Sequence, residues 1–173
     1  LFSFTKTYAG VGSRETPPVI LQAMTELAQW LADRGYTLRS GGAGGADAAF
    51  EKGAGDQKEI FLPYDGFNGR KVDNVQFFNY TKDAARIARK YHPHWDTMGY
   101  ASRRFHARNS HQVLGLSLNH PVDFLVCYTK GGKMIGGTAQ AMRIAKDHNI
   151  PIFNFATMTL ADIKFCITEL EKE

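Results

Sequence analysis

The chain has 173 residues, 43% hydrophobic and 22% charged, which fits one globular domain with a sizeable core spanning 1–173. A formal net charge of +4 suits an anionic ligand, and with no long Lys/Arg run it does not demand nucleic acid. No apolar run approaches the ~20 residues of a membrane span, no signal-peptide pattern opens the chain, and Cys127 and Cys166 sit in apolar segments as buried thiols. These features lead to the expectation of a cytoplasmic protein with no membrane partner.

In chain order, Lys6 to Val11 reads as a first strand, left through the turn Gly12-Ser13-Arg14. Thr16 is an expected N-cap, with Pro17 and Pro18 in the first helical positions. Ile20, Met24, Leu27 and Leu31 recur at helical spacing, and Gly35 stops the helix. Tyr36 to Arg39 is the second strand. Ser40-Gly41-Gly42-Ala43-Gly44-Gly45 then turns into a small-residue helix that starts near Ala46 and ends near Ala54. Glu59 to Leu62 is a third strand, ended by Pro63, and residues 63–78 read as loop. A polar helix from about Thr81 to Arg89 and a longer one from about Tyr100 to Ser117 flank an irregular stretch at 91–95. Val122 to Cys127 is the most apolar strand and is expected at the centre of the sheet. Thr129 to Lys133 loops into Gly136-Gly137-Thr138, which opens a helix reaching His148. Pro151 to Asn154 is the last strand. Thr159 and Asp162 resemble a capping box that starts a closing helix.

Strands alternating with helices predict an α/β fold, a Rossmann-like three-layer sandwich. The expected sheet is mostly parallel, with about five strands in the order 3-2-1-4-5 and helices on both faces. In such sheets ligands bind beyond the carboxyl ends of the strands, where strand order reverses. If the first and fourth strands are neighbours, the turns at 10–14, 40–47 and 131–138 meet in one crevice. The glycine-rich turn at 40–45 reads as an anion cradle of free amides at a helix start, or as a tight strand-to-helix turn without a ligand. Neither a P-loop nor a standard dinucleotide fingerprint is present.

Gly12-Ser13-Arg14, Ser40-Gly41-Gly42-Ala43 with Gly45 and Asp47, Phe105 with Arg108-Asn109, and Gly136-Gly137-Thr138 leading into Ala141 occur in a familiar order. On these motifs, which cover about residues 8 to 155, the chain resembles the DprA/Smf-like branch of the SLOG superfamily, related to the LOG (lysine-decarboxylase-like) proteins. The resemblance implies a Rossmann-like fold that binds nucleotides, nucleotide-derived signals or single-stranded DNA. The chain departs from the pattern at Ser110 and His106, where DprA-like proteins usually carry Arg and Pro. It departs again after Thr138, where LOG phosphoribohydrolases place a Glu and this chain has Ala139-Gln140-Ala141-Met142. Gln140 can hydrogen-bond a ribose or base but cannot act as a general base.

The candidate ligand residues are Gly12, Ser13, Arg14, Ser40, Gly41, Gly42, Ala43, Asp47, Arg108, Asn109, Tyr128, Gly136, Gly137, Thr138 and Gln140. Arg14 suits a bidentate phosphate contact or a surface pair with Glu15 or Asp33. Ser13 either donates to the same phosphate or caps its turn. Asp47 either starts its helix or holds the loop or a sugar hydroxyl. Thr138 is a helix cap or a phosphate ligand. Arg108 and Asn109 reach the crevice mouth or form an exposed helix pair. Tyr128, directly after the central strand, is the preferred stacking residue among many aromatics that otherwise read as core or lid. Cys127 reads as packing. His92, His94, His106 and His111 match no known zinc spacing, so the reading includes no metal and no cofactor.

Three functions follow. The first is a binding protein for a nucleotide or nucleotide-derived phosphate ligand. The second is a nucleotide N-glycosidic hydrolase, with Glu15 or Asp47 as its candidate carboxylates. The third is a DprA-like single-stranded DNA binder. A homodimer or higher homo-oligomer is expected from the resemblance.

Overall fold

The computed structural model describes residues 5–173. The four residues before them, on which the expected single domain and the absence of a targeting pattern begin, lie outside the described residues. Strands β1 (Lys6–Gly10), β2 (Tyr36–Ser40), β3 (Lys58–Leu62), β4 (Phe77–Asn79), β5 (Phe124–Cys127) and β6 (Ile152–Asn154) form one sheet in the order β4-β3-β2-β1-β5-β6. Every pairing is parallel. The helices are α1 (Pro18–Asp33), α2 (Ala46–Ala54), α3 (Lys82–Tyr91), α4 (Tyr100–Leu114), α5 (Thr138–Asp147) and α6 (Leu160–Leu170).

Strand periodicity divides the core in two. Tyr8, Leu38, Ile60, Leu62, Phe124 and Val126 point to one face, where Met24, Leu27 and Leu31 of α1, Phe50 of α2 and Ile163 and Ile167 of α6 cover them. Ala9, Val11, Leu125 and Cys127 point to the other, under Val113 and Leu114 of α4 and Ile144 of α5. The strands are buried on both faces, which is why they read as continuous apolar runs. Burial pushes the Cys127 thiol up to about 12, so it packs as a neutral group. Cys166, by contrast, is only half-buried, because α6 has one face against the core and this residue sits at its edge.

The expected order of five strands is present, with β4 added at one edge. That strand is three residues long and follows a loop, so alternation had too little length to show it. Its start is held by Asp73, whose carboxylate accepts the N–H groups of Val75, Gln76 and Phe77 at 2.9, 3.0 and 2.9 Å. Those bonds hold its carboxyl below the usual carboxylate range. Thr16 is not the cap of α1. Pro17 takes that place, and the buried Thr16 hydroxyl donates instead to the Ser13 carbonyl at 2.7 Å. Helix α4 ends at Leu114, short of Ser117, because Gly115 turns the chain at φ 86°. The capping box of Thr159 and Asp162 is present in both directions, at 2.9 and 3.1 Å.

Candidate functional site

A cleft of about 700 Å³ opens at the carboxyl ends of β1, β2 and β5. Strand order reverses there, since the chain runs outward from β1 toward β2 on one side and toward β5 on the other. Its walls include Gly12, Ser13, Arg14 and Glu15 after β1, Ala43 and Asp47 after β2, and Tyr128, Thr129 and Lys130 after β5. Gly136, Gly137 and Thr138 at the start of α5, and Arg108 and Asn109 of α4, complete most of the rim.

The turns touch one another. The Ser13 carbonyl accepts the Ala46 N–H at 3.3 Å, tying the first turn to the start of α2. A Cβ at Gly12 would lie 2.7 Å from the Ala46 Cβ and 3.4 Å from the Tyr128 nitrogen, so all three strand ends crowd this glycine. Asn154 holds the turn after β5 by accepting the Thr129 N–H at 3.3 Å and donating to the Thr129 hydroxyl at 2.8 Å.

The glycine-rich turn after β2 has a different internal role from the one its composition suggests. The Ala43 N–H is already donated to Asp47 Oδ2 at 3.2 Å, and the Ala46 N–H to Ser13. A Cβ at Gly41 would collide with the Gln112 amide and lie 2.6 Å from Arg108 Nε. At Gly45 it would meet the Arg14 backbone at 2.6 Å, in a residue whose φ is 71°. These glycines admit protein neighbours. Ser40 is buried with its hydroxyl on the Gly10 carbonyl at 2.6 Å, and Gly42 faces Leu62 and Arg70, its carbonyl accepting from Asn68 at 3.1 Å. Ser40, Gly41 and Gly42 therefore stand behind the cleft wall, while Ala43 and Asp47 reach it.

Arg108 is the clamp of this turn. It is 7% exposed, donates from Nε to the Gly41 carbonyl at 3.2 Å, and lies with Nη2 3.8 Å from Asp47 Oδ2. Burial drives the Asp47 carboxyl above the usual carboxylate range, and Arg108 and the Ala43 amide oppose it. Burial likewise lowers the Arg108 guanidinium, with Asp47 opposing. Each group thus offsets part of the other's burial cost. Asn109 donates to the Gly137 carbonyl at 3.2 Å and fixes α4 against the first turn of α5. Gln140 does not reach the cleft. It is fully buried, donating to the Ala88 carbonyl at 2.9 Å and accepting from Arg143 at 2.8 Å, because the face of α5 that carries Thr138 and Ala141 turns it toward α3.

The exposed charged groups of the cleft are Arg14, Glu15 and Lys130. Arg14 is exposed, with its guanidinium 6.0 Å from the centre of the Phe105 ring, and the exposed Lys130 lies on the turn after β5. Of the two candidate carboxylates, Glu15 lines the rim and Asp47 is 4% exposed and engaged with Arg108. Cleft residues outside the candidate ligand set include Phe105, which was part of a motif, and His106 and Gln112 of α4 as well as Thr129 and Lys130. Positions 105, 108, 109 and 112 share one helical face, and that spacing was the available signal. Among the histidines, His92 and His106 lie 4.3 Å apart by ring centres, and no group of three or more metal-ligating side chains is found among the described residues.

The fold and cleft define a Rossmann-like α/β protein whose crevice lies at the switch point of a six-stranded parallel sheet. Solved structures share this architecture. DNA processing protein A from Helicobacter pylori, studied for its single-stranded DNA binding mode, superposes with a TM-score of 0.61 at 22% identity. The match takes in 87% of this chain and 65% of that one, so this chain spans somewhat less than two thirds of that protein's length. Two structures of the molybdenum cofactor carrier protein from Chlamydomonas reinhardtii give TM-scores of 0.62 and 0.63, both at 16% identity. They cover 97% and 99% of this chain and 99% and 100% of their own. At these identities the likeness is one of fold. No protein-family model matches the chain, and no curated protein matches it in sequence. No helix among the described residues is long and apolar enough to cross a membrane.

Proposed function

We propose that this is a SLOG-type domain whose cleft holds a nucleotide or nucleotide-derived phosphate ligand. The observation that carries the reading is the open cleft at the strand switch point, with the exposed Arg14 and the start of α5 both in its wall. Arg14 neutralises the phosphate, the Ser13 hydroxyl and the amides of Gly136 to Thr138 complete its seat, and Tyr128 lies against the sugar or ring. Arg108, Asn109 and the turn at 40–45 form the frame of this seat. Proteins of the same fold whose names speak of single-stranded DNA and of a molybdenum cofactor are in keeping with a phosphate-bearing guest. The test is a thermal-shift screen of nucleoside monophosphates and cyclic dinucleotides on wild type and Arg14→Ala. The expected outcome is a ligand that raises the melting temperature of wild type and binds the variant at least about tenfold more weakly, with the variant's own melting unchanged. No shift with any nucleotide would remove the reading.

One observation favours a second reading, binding of single-stranded DNA. From the cleft-lining Phe105, rings and guanidinium groups continue outward: Phe67 at 5.5 Å, Tyr64 at 5.4 Å from Phe67, and Arg104 5.1 Å from both Tyr64 and Tyr100. Tyr100 is 72% exposed and offers its ring to a base. A labelled oligonucleotide should then bind at low salt and release steeply as salt rises. Absence of binding at low salt eliminates this reading and leaves the first intact.

A further inference from the structure

The face of α4 turned to the cleft carries Phe105, Arg108, Asn109 and Gln112. Arg108 holds the Gly41 carbonyl and Asn109 the Gly137 carbonyl, while Phe105 lies beneath Arg14. Gln112 differs from its neighbours. It is 1% exposed, it lines the cleft, and its side-chain oxygen has no hydrogen-bond partner. A buried carboxamide left unpaired is costly and is rarely tolerated without use.

A second idle group stands on the same helix. His106 also lines the cleft, and its Nδ1 is buried without a partner. Burial, with His92 and Arg143 nearby, lowers its pKa to about 4, so its ring is neutral at physiological pH. Gln112 and His106 are separated by about 9 Å along the helix axis at 1.5 Å per residue. Both are uncharged, whereas the exposed charges of the cleft, Arg14, Glu15 and Lys130, belong to the turns after β1 and β5. The unpaired polar groups of the cleft wall that carry no charge are therefore on α4.

We propose that Gln112, with His106 as a second contact, determines ligand specificity by pairing with the amide or amino edge of an uncharged nitrogen heterocycle, such as a nucleobase. This rests on the reading of the cleft as a nucleotide site. A phosphate leaves the unpaired Gln112 oxygen unsatisfied, because phosphate oxygens and the carboxamide oxygen are both acceptors. A ring edge that presents a donor beside an acceptor supplies the missing donor and also accepts from the carboxamide N–H. A base bound there directs its sugar and phosphate toward Arg14. His106 stands where the resemblance led to the expectation of a proline, so this pairing belongs to the chain's own residues.

The experiment is titration calorimetry of wild type, Gln112→Leu and Arg14→Ala with each common nucleoside monophosphate and with ribose 5-phosphate, which has no base. Gln112→Leu should weaken the best nucleotide about tenfold and change ribose 5-phosphate by less than about twofold. Arg14→Ala should weaken both. Equal losses on both ligands, or none on either, would overturn the role of Gln112 while leaving the nucleotide site standing. Failure of wild type to bind any nucleotide would overturn the site and this inference together. Gln112→Met, of the same length and without the amide, replaces the leucine variant if circular dichroism shows that one to be unfolded.

Discussion

At the scale of single residues, neighbouring glycines in one turn have unlike duties. Gly45 has a positive φ, and a Cβ there would lie 2.6 Å from the Arg14 backbone. Gly44, beside it, has open space where its Cβ would go. Gly45→Ala should therefore lower stability by about 2 kcal/mol or more, combining left-handed strain with a backbone collision. Gly44→Ala should stay within about 0.5 kcal/mol of wild type. Urea unfolding of the two variants checks the contrast; equal effects would mean that the turn relaxes. Sequence reading found this turn from its composition and assigned its amides to a guest. The partners already held by Ala43 and Ala46 lie at Asp47 and Ser13, and glycine content carries no information about such pairings.

Helices α3 and α4 are joined through one imidazole. His111 is buried in α4; its Nε2 accepts the Thr81 N–H at 3.1 Å, and its Nδ1 lies 3.0 Å from the Gly115 carbonyl. The ring thus carries its proton on Nδ1 and joins the start of α3 to the end of α4. Burial lowers its pKa below the ordinary imidazole value. The unfolded chain then binds the proton more readily than the folded one, so the contribution is complete above about pH 6.5 and is lost as pH falls. The loss is at most about 1.4 kcal/mol per pH unit, and it ends once pH is below the folded-state pKa. Stability of wild type should fall more steeply between pH 7 and 5 than that of His111→Gln, measured by denaturant unfolding. Asp47 has the opposite sign because its carboxyl is raised, and it is common to both proteins, so their difference isolates His111. Parallel slopes would mean that the ring is accessible to protons in the folded state. Both helices were read from the sequence within a few residues of their bounds, but nothing in the spacing of His111 distinguished a structural tie from an exposed histidine.

For the molecule as a whole, strand order and layering were open to sequence reading because each central strand is apolar on both sides and each crossover helix has one apolar face. The meeting of the turns after β1, β2 and β5 followed from that order. The edge strand β4 escaped because three residues carry no period, and the burial of Gln140 against α3 escaped because it depends on how α5 is rotated against α3. Arg108 was legible as important, though its work is done among the protein's own groups. One guanidinium steadies both the Gly41 carbonyl and the Asp47 carboxyl, so its removal would unsettle the turn after β2 at both ends. A mutant lacking it would mimic, in any affinity assay, the loss of a side chain that touches the guest, and only comparison across chemically different guests would tell scaffold from contact.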